Sequence, residues 1–99
     1  MNWDIISGRY IWNAEKERLN IKRHGVSFAV AAQAFEDPRR LISCDELHSA
    51  KEERFFCVGR VGLRIATVRF TYRGKLIRIF GAAYWRKGQR LYEKAKTHR

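Results

Sequence analysis

Two sets of side chains in this chain have types suited to handling a phosphate ester. Lys16, Lys22 and His24 fall in one stretch, and Glu53, Arg54, Arg69 and Arg78 in another. Cleaving such an ester without a metal needs a base to take a hydroxyl proton, cations for the extra negative charge and an acid for the leaving oxygen. Histidine is the side chain that titrates near neutral pH, and Glu53 is a second candidate proton acceptor. Arginine grips phosphate oxygens with a planar fork and keeps its charge. Tyr84, Trp85 and Tyr92 can stack on bases, with Arg86 beside them. Each has a plainer structural alternative. His24 can simply serve a helix end, the lysines a solvated face, Glu53 an ion pair with Arg54, and Tyr92 the core.

The charge that surrounds these residues is one-sided. Residues 1–59 hold nine Lys/Arg and nine Asp/Glu, whereas residues 60–99 hold twelve Lys/Arg and one acid, Glu93, giving the net +11. A field polarised in this way attracts phosphate backbones or acidic proteins, and salt weakens it. With 45% hydrophobic and 13% aromatic residues, the chain is expected to be a soluble packed globule rather than a charged arm. Its 99 residues make one domain, 1–99. Cys44 and Cys57 form no disulfide framework, and His24, His48 and His98 are scattered, so no metal and no cofactor is expected. No apolar run is long enough to span a bilayer and no signal-peptide pattern opens the chain, which places it in the cytoplasm and off the membrane.

Local signals position these residues. Tyr10-Ile11-Trp12 reads as an extended entry, and Asn13 caps a helix carrying Glu15 and Glu17 in its first turn and ending at about His24, with Gly25 as its stop. Ser27 caps a second helix, Phe28 to Glu36, ended by Pro38. Leu41-Ile42-Ser43-Cys44 reads as an edge strand or loop, and Asp45 to Lys51 as loop. Arg54–Val58, Leu63–Tyr72 and Leu76–Ala82 are β-rich and separated by Gly-containing turns, and a basic helix follows Trp85. The expected fold is α+β, with two N-terminal helices packed on an antiparallel β-meander and a C-terminal helix.

The meander carries a testable register. A two-residue turn at Arg73-Gly74 pairs Tyr72 with Lys75, Phe70 with Ile77 and Val68 with Ile79, and sets Arg69 directly opposite Arg78. With an even-numbered turn between Gly59 and Gly62, Arg54 lies opposite Thr67 on the face of Arg69. Arg54, Arg69 and Arg78 then converge across three strands as a phosphate clamp. Glu53 points to the other face.

The same residues carry a resemblance. Trp12-Asn13, Lys16, Asn20 and then Lys22-Arg23-His24-Gly25-Val26-Ser27-Phe28 resemble the opening signature of the BrnT toxins. Phe35-Glu36-Asp37-Pro38, Glu53-Arg54-Phe55 and Ile77-Arg78-Ile79-Phe80-Gly81-Ala82 continue it, so that it covers Tyr10 to Glu93. The resemblance implies a RelE-like fold and the toxin of a type II toxin–antitoxin system, an endoribonuclease that arrests growth. It implies as partners an RNA substrate and a BrnA-like ribbon-helix-helix antitoxin, with operator DNA reached through that antitoxin in a heterotetramer of two toxins and two antitoxins. The resemblance and the residues together give a metal-independent mechanism with His24, Lys22, Glu53, Arg54 and Arg78 as catalytic candidates. Arg69, Lys16, Tyr84, Arg86 and Tyr92 are the RNA-binding candidates. The alternative is a catalytically weak basic module that binds an acidic antitoxin and nucleic acid. The chain departs from the family where a closing Ser-Ala-Arg is common: Gly81-Ala82-Ala83 stands there, Gln89 sits near the place of a later Glu, and Arg86 is the nearest stand-in for the missing arginine.

Overall fold

Asp4–Ser7 (β1) and Tyr10–Asn13 (β2) form an antiparallel hairpin, of which the sequence predicts only Tyr10–Trp12 as extended. The computed structural model describes residues 2–97; Met1, and the His98 and Arg99 counted in the sequence inventory, lie outside the described residues. After the hairpin come a helix, Ala14–His24 (α1), and a short one, Phe28–Ala31 (α2), which tightens into a 3-10 segment over Ala32–Glu36. Leu41–Cys44 (β3), Phe55–Val61 (β4), Arg64–Arg73 (β5) and Leu76–Ala83 (β6) follow, and Arg86–Thr97 (α3) ends the described chain.

The strands form one six-stranded sheet in the order β1-β2-β6-β5-β4-β3. This corrects the expected architecture. The α+β class holds, but the sheet is mixed rather than a purely antiparallel meander, because β2 runs parallel to β6, pairing Tyr10–Trp12 with Ile77–Ile79. The helices enter only after β1 and β2 have added two strands to the sheet. A parallel neighbour distant in sequence leaves no turn signal, so local patterning does not announce it.

Helix boundaries follow their caps. Asn13 Oδ1 accepts the Lys16 amide at 2.9 Å, and Gly25 closes α1 with φ of 70° while its N–H donates to the Ile21 carbonyl. Ser27 Oγ accepts the Val30 amide at 3.0 Å. Glu17 reaches across from α1 and accepts the Phe28 amide at 2.8 Å, so one carboxylate from the first helix holds the start of the second.

The register differs from expectation, for a local reason. Val61 pairs with Arg64 and Arg73 with Leu76, so the central turn residues are Gly62-Leu63 and Gly74-Lys75. In both, only the glycine has positive φ (61° and 59°) and it takes the first central position, as in a type II′ turn. Reading Gly74 as the second central residue therefore misplaces the turn by one residue and each cross-strand partner by two. The pairs are Phe70 with Ile79, Thr71 with Arg78 and Tyr72 with Ile77. A bulge between Arg69 and Phe70 then sets Arg69 opposite Gly81 and Val68 opposite Ala82. Arg69 is thus not opposite Arg78, and Val58 rather than Arg54 pairs with Thr67.

The core lies on one face of the sheet. Phe70, Val68, Ile79 and Cys57 are fully buried with Phe28 of α2, each apolar side chain stabilising by about 1.5–3 kcal/mol relative to exposure. A smaller cluster of Val58, Ile65 and Tyr92 fixes α3 on the other face. Asp37 ties these parts together: it accepts the Tyr92 hydroxyl at 2.6 Å, the Arg60 amide at 2.8 Å and the Arg39 amide at 2.9 Å. No helix is long and apolar enough to cross a membrane among the described residues.

Candidate active site

β2 ends at Asn13, and its pairing with β6 stops at Ile79, so the rest of β6 has no strand beside it on that side among the described residues. Helix α1 continues from β2 and packs there. Asn20, buried in α1, makes the join. Its Nδ2 donates to the Ala82 carbonyl at 2.9 Å and to the Val26 carbonyl at 3.0 Å, and its Oδ1 accepts the Ala82 amide at 3.2 Å. One carboxamide thereby stands in for a strand at the open edge of β6.

A cleft of about 270 Å³ lies along this join, walled by Arg69, Phe80, Gly81 and Trp85 on the sheet side. On the helix side Lys16, Leu19, Asn20, Arg23 and His24 line it. These helix positions follow the i, i+3, i+4, i+7, i+8 spacing of a single face. Lys16, Arg23 and Arg69 bring three cationic side chains into the cleft, and no carboxylate lines it among the described residues. His24 meets the Trp85 ring edge-on, with centroids 6.2 Å apart. A Cβ placed at Gly81 would meet the Arg69 stem at 3.5–3.9 Å, in ordinary van der Waals contact, so the arginine packs over this position of β6.

Beside the cleft, Arg54 and Arg69 share one aromatic ring. The Arg54 guanidinium carbon lies 4.7 Å from the Phe80 centroid and that of Arg69 5.1 Å, each contact worth about 0.5–1 kcal/mol at an exposed site. Phe56 stands directly across from Arg69 on β4.

The sequence candidates therefore divide. His24, Lys16 and Arg69 come together in the cleft, with Arg54 next to it through Phe80. Arg78 does not join them: it lies across from Thr71 and is held by Asp4 through two bonds of 3.2 and 3.3 Å. Lys22 lies off the α1 stripe and is exposed, and Glu53 is exposed, with its backbone carbonyl accepting the Thr71 hydroxyl. Tyr84 sits outside the cleft beneath Arg64, whose guanidinium carbon is 3.5 Å from its centroid. Arg86 is exposed at the start of α3 and lines a shallow concavity with Gln89, Arg90 and Glu93. Tyr92, 3% exposed and bonded to Asp37, has no face open to a base. Ala83 is buried opposite Thr67.

Arg23, Phe80 and Gly81 were not among the sequence candidates. The helical spacing of Lys16, Asn20 and Arg23 is the signal that points to the first; the bulge that presents the other two leaves no sequence mark. No group of three His, Cys, Asp or Glu side chains is placed to hold a metal ion among the described residues.

No curated protein gives a significant match to the chain. Residues 12–88 match the family described as "Ribonuclease toxin, BrnT, of type II toxin-antitoxin system", a span that contains every residue lining the cleft. The chain belongs to the BrnT family of ribonuclease toxins of type II toxin–antitoxin systems.

Proposed function

We propose that the chain is a metal-independent endoribonuclease and that the α1–β6 cleft holds the scissile phosphate. The observation that carries this reading is the convergence of Lys16, Arg23 and His24 from one stripe of α1 on Arg69 of β5, in a cleft with no lining carboxylate among the described residues. A cleft with this donor set suits an anion rather than a divalent cation.

The reaction is attack of a ribose 2′-hydroxyl on the adjacent phosphorus. It leaves a 2′,3′-cyclic phosphate on one fragment and a 5′-hydroxyl on the other. His24 is the proton-transfer group of the cleft and takes the 2′-hydroxyl proton, while solvent water protonates the leaving 5′-oxygen. Lys16 and Arg69 stabilise the doubly charged pentacoordinate state, and Arg54 supports Arg69 across Phe80. Lys22, Glu53 and Arg78 have no part in bond breaking, and Arg86 serves the flanking backbone.

A type II toxin has an antitoxin partner as well as RNA. We infer that the partner is a BrnA-like ribbon-helix-helix protein. It assembles two toxins with two antitoxins, contacts operator DNA itself and neutralises a toxin that acts in the cytoplasm. The mixed sheet with helices on both faces supports a variant of the RelE-like fold. Antitoxin-free protein incubated with RNA in EDTA tests the chemistry; fragments ending in 2′,3′-cyclic phosphate are expected.

A further inference from the structure

A second concavity, of about 190 Å³, adjoins the cleft and is mainly apolar. Phe56 and Val58 of β4 form its floor, Leu91 of α3 one wall, and Ser43 and Lys87 its polar lining. Trp85 belongs to both spaces. Phe56 pairs directly with Arg69, so the floor of the groove and the cationic wall of the cleft are cross-strand neighbours, about 5 Å apart at Cβ.

We propose that this groove is a nucleobase subsite, holding the base of a nucleotide next to the scissile phosphate and setting the sequence preference of cleavage. The proposal rests on the reading of the adjoining cleft as the phosphate site. Three observations favour a base over an apolar protein side chain. The groove and a cleft with three cationic side chains share the Trp85 ring, which matches the alternation of phosphate and ring along a single strand. Its volume equals that of about six waters at about 30 Å³ each, the scale of one ring system. Ser43 and Lys87 place a hydroxyl and an ammonium on its lining, polar partners for the edge of a base.

Trp85 and Leu91, 40% and 48% exposed, would be covered by the occupant. Leu91 and Phe56 line the groove but not the cleft, so they separate the two sites experimentally.

The test uses a short RNA with one cleavage site, and versions in which each nucleotide flanking the scissile bond is made abasic in turn. With the wild-type toxin, kcat/KM is expected to fall by about tenfold or more at one flanking position, the size of a lost base-stacking contact. Leu91→Ala and Phe56→Ala should shrink that ratio to within about twofold while cleaving the abasic RNA as fast as the wild type. Leu91 lies on an exposed helix face, so its variant keeps the test valid if Phe56→Ala fails to fold. Equal cleavage of intact and abasic RNAs by the wild type would overturn the proposal, as would undiminished discrimination in Leu91→Ala. Loss of antitoxin affinity in the variants with discrimination unchanged would assign the groove to the antitoxin and overturn it as well. If the wild type cuts no RNA, the cleft reading fails by itself. The groove is then judged by the Kd ratio of intact to abasic RNA, with the same expected values.

Discussion

Asn20 and Ala82 are joined by a reciprocal pair of hydrogen bonds, amide to Oδ1 and Nδ2 to carbonyl, that closes the open edge of β6 with a helix side chain. Three backbone groups depend on this carboxamide, counting the Val26 carbonyl. Asn20→Ala leaves them buried and unpaired. The expected loss is about 1–3 kcal/mol, a fall in Tm of about 4–8 °C per kcal/mol for a domain of this size. Thermal unfolding followed by circular dichroism measures it. Cleavage should fall further than stability alone explains, because α1 carries Lys16, Arg23 and His24.

The arginines should separate by position. Arg69→Ala is expected to lower cleavage by about 10²–10³-fold, the effect of removing one transition-state donor. Arg69→Lys should recover only part of it, since a lysine lacks the fork. Arg78→Ala should cost about 0–1 kcal/mol of stability through its surface pair with Asp4 and leave the rate nearly unchanged. Single-turnover cleavage of one RNA by the three variants decides this; equal losses at 69 and 78 would move the site.

Acid should loosen the junction at Asp37. Burial pushes this carboxyl up, but the Tyr92 hydroxyl, the Arg39 and Arg60 amides and the Arg60 charge together outweigh it and leave it below its ordinary 3.8. A depressed carboxyl stabilises the fold above its unfolded value and stops doing so as pH falls through its folded one. Urea midpoints should therefore drop as pH falls below about 4, and the drop should be shallower in Asp37→Asn. Tyr92→Phe should destabilise by about 1 kcal/mol at neutral pH.

The two thiols should differ in reactivity. Burial pushes the Cys57 thiol up to about 12, while Cys44 is exposed. Alkylation of the native protein at pH 8 is expected to label Cys44 alone, with Cys57 reacting only after unfolding. Native labelling of Cys57 would contradict its place in the core.

What the sequence disclosed was mainly what neighbours in the chain decide. Asn13, Gly25 and Ser27 mark helix ends because each satisfies backbone groups within a few residues of itself. The basic C-terminal helix was legible for the same reason, whereas Leu41–Cys44 reads from sequence as strand or loop and is settled only by its pairing with β4. The parallel pairing of β2 with β6 and the bulge beside Arg69 depend on contacts between distant residues, and these were not legible. Both bear on the site. The one-residue shift at Gly74 and the bulge together part Arg78 from Arg69, while the parallel strand carries α1 to the edge of β6 and so brings His24 to Arg69. Polarised charge announced a polyanion partner; only the tertiary fold shows which cations meet.

The most direct measurement is cleavage of a defined single-stranded RNA by antitoxin-free wild-type protein in excess EDTA, beside His24→Ala and Arg69→Ala. The account predicts cleavage by the wild type that leaves 2′,3′-cyclic phosphate ends. It predicts a loss of about 10²-fold or more in each variant, with circular dichroism unchanged. Wild-type activity that vanishes in EDTA and returns with a divalent ion, or variants that cut at the wild-type rate, would contradict it.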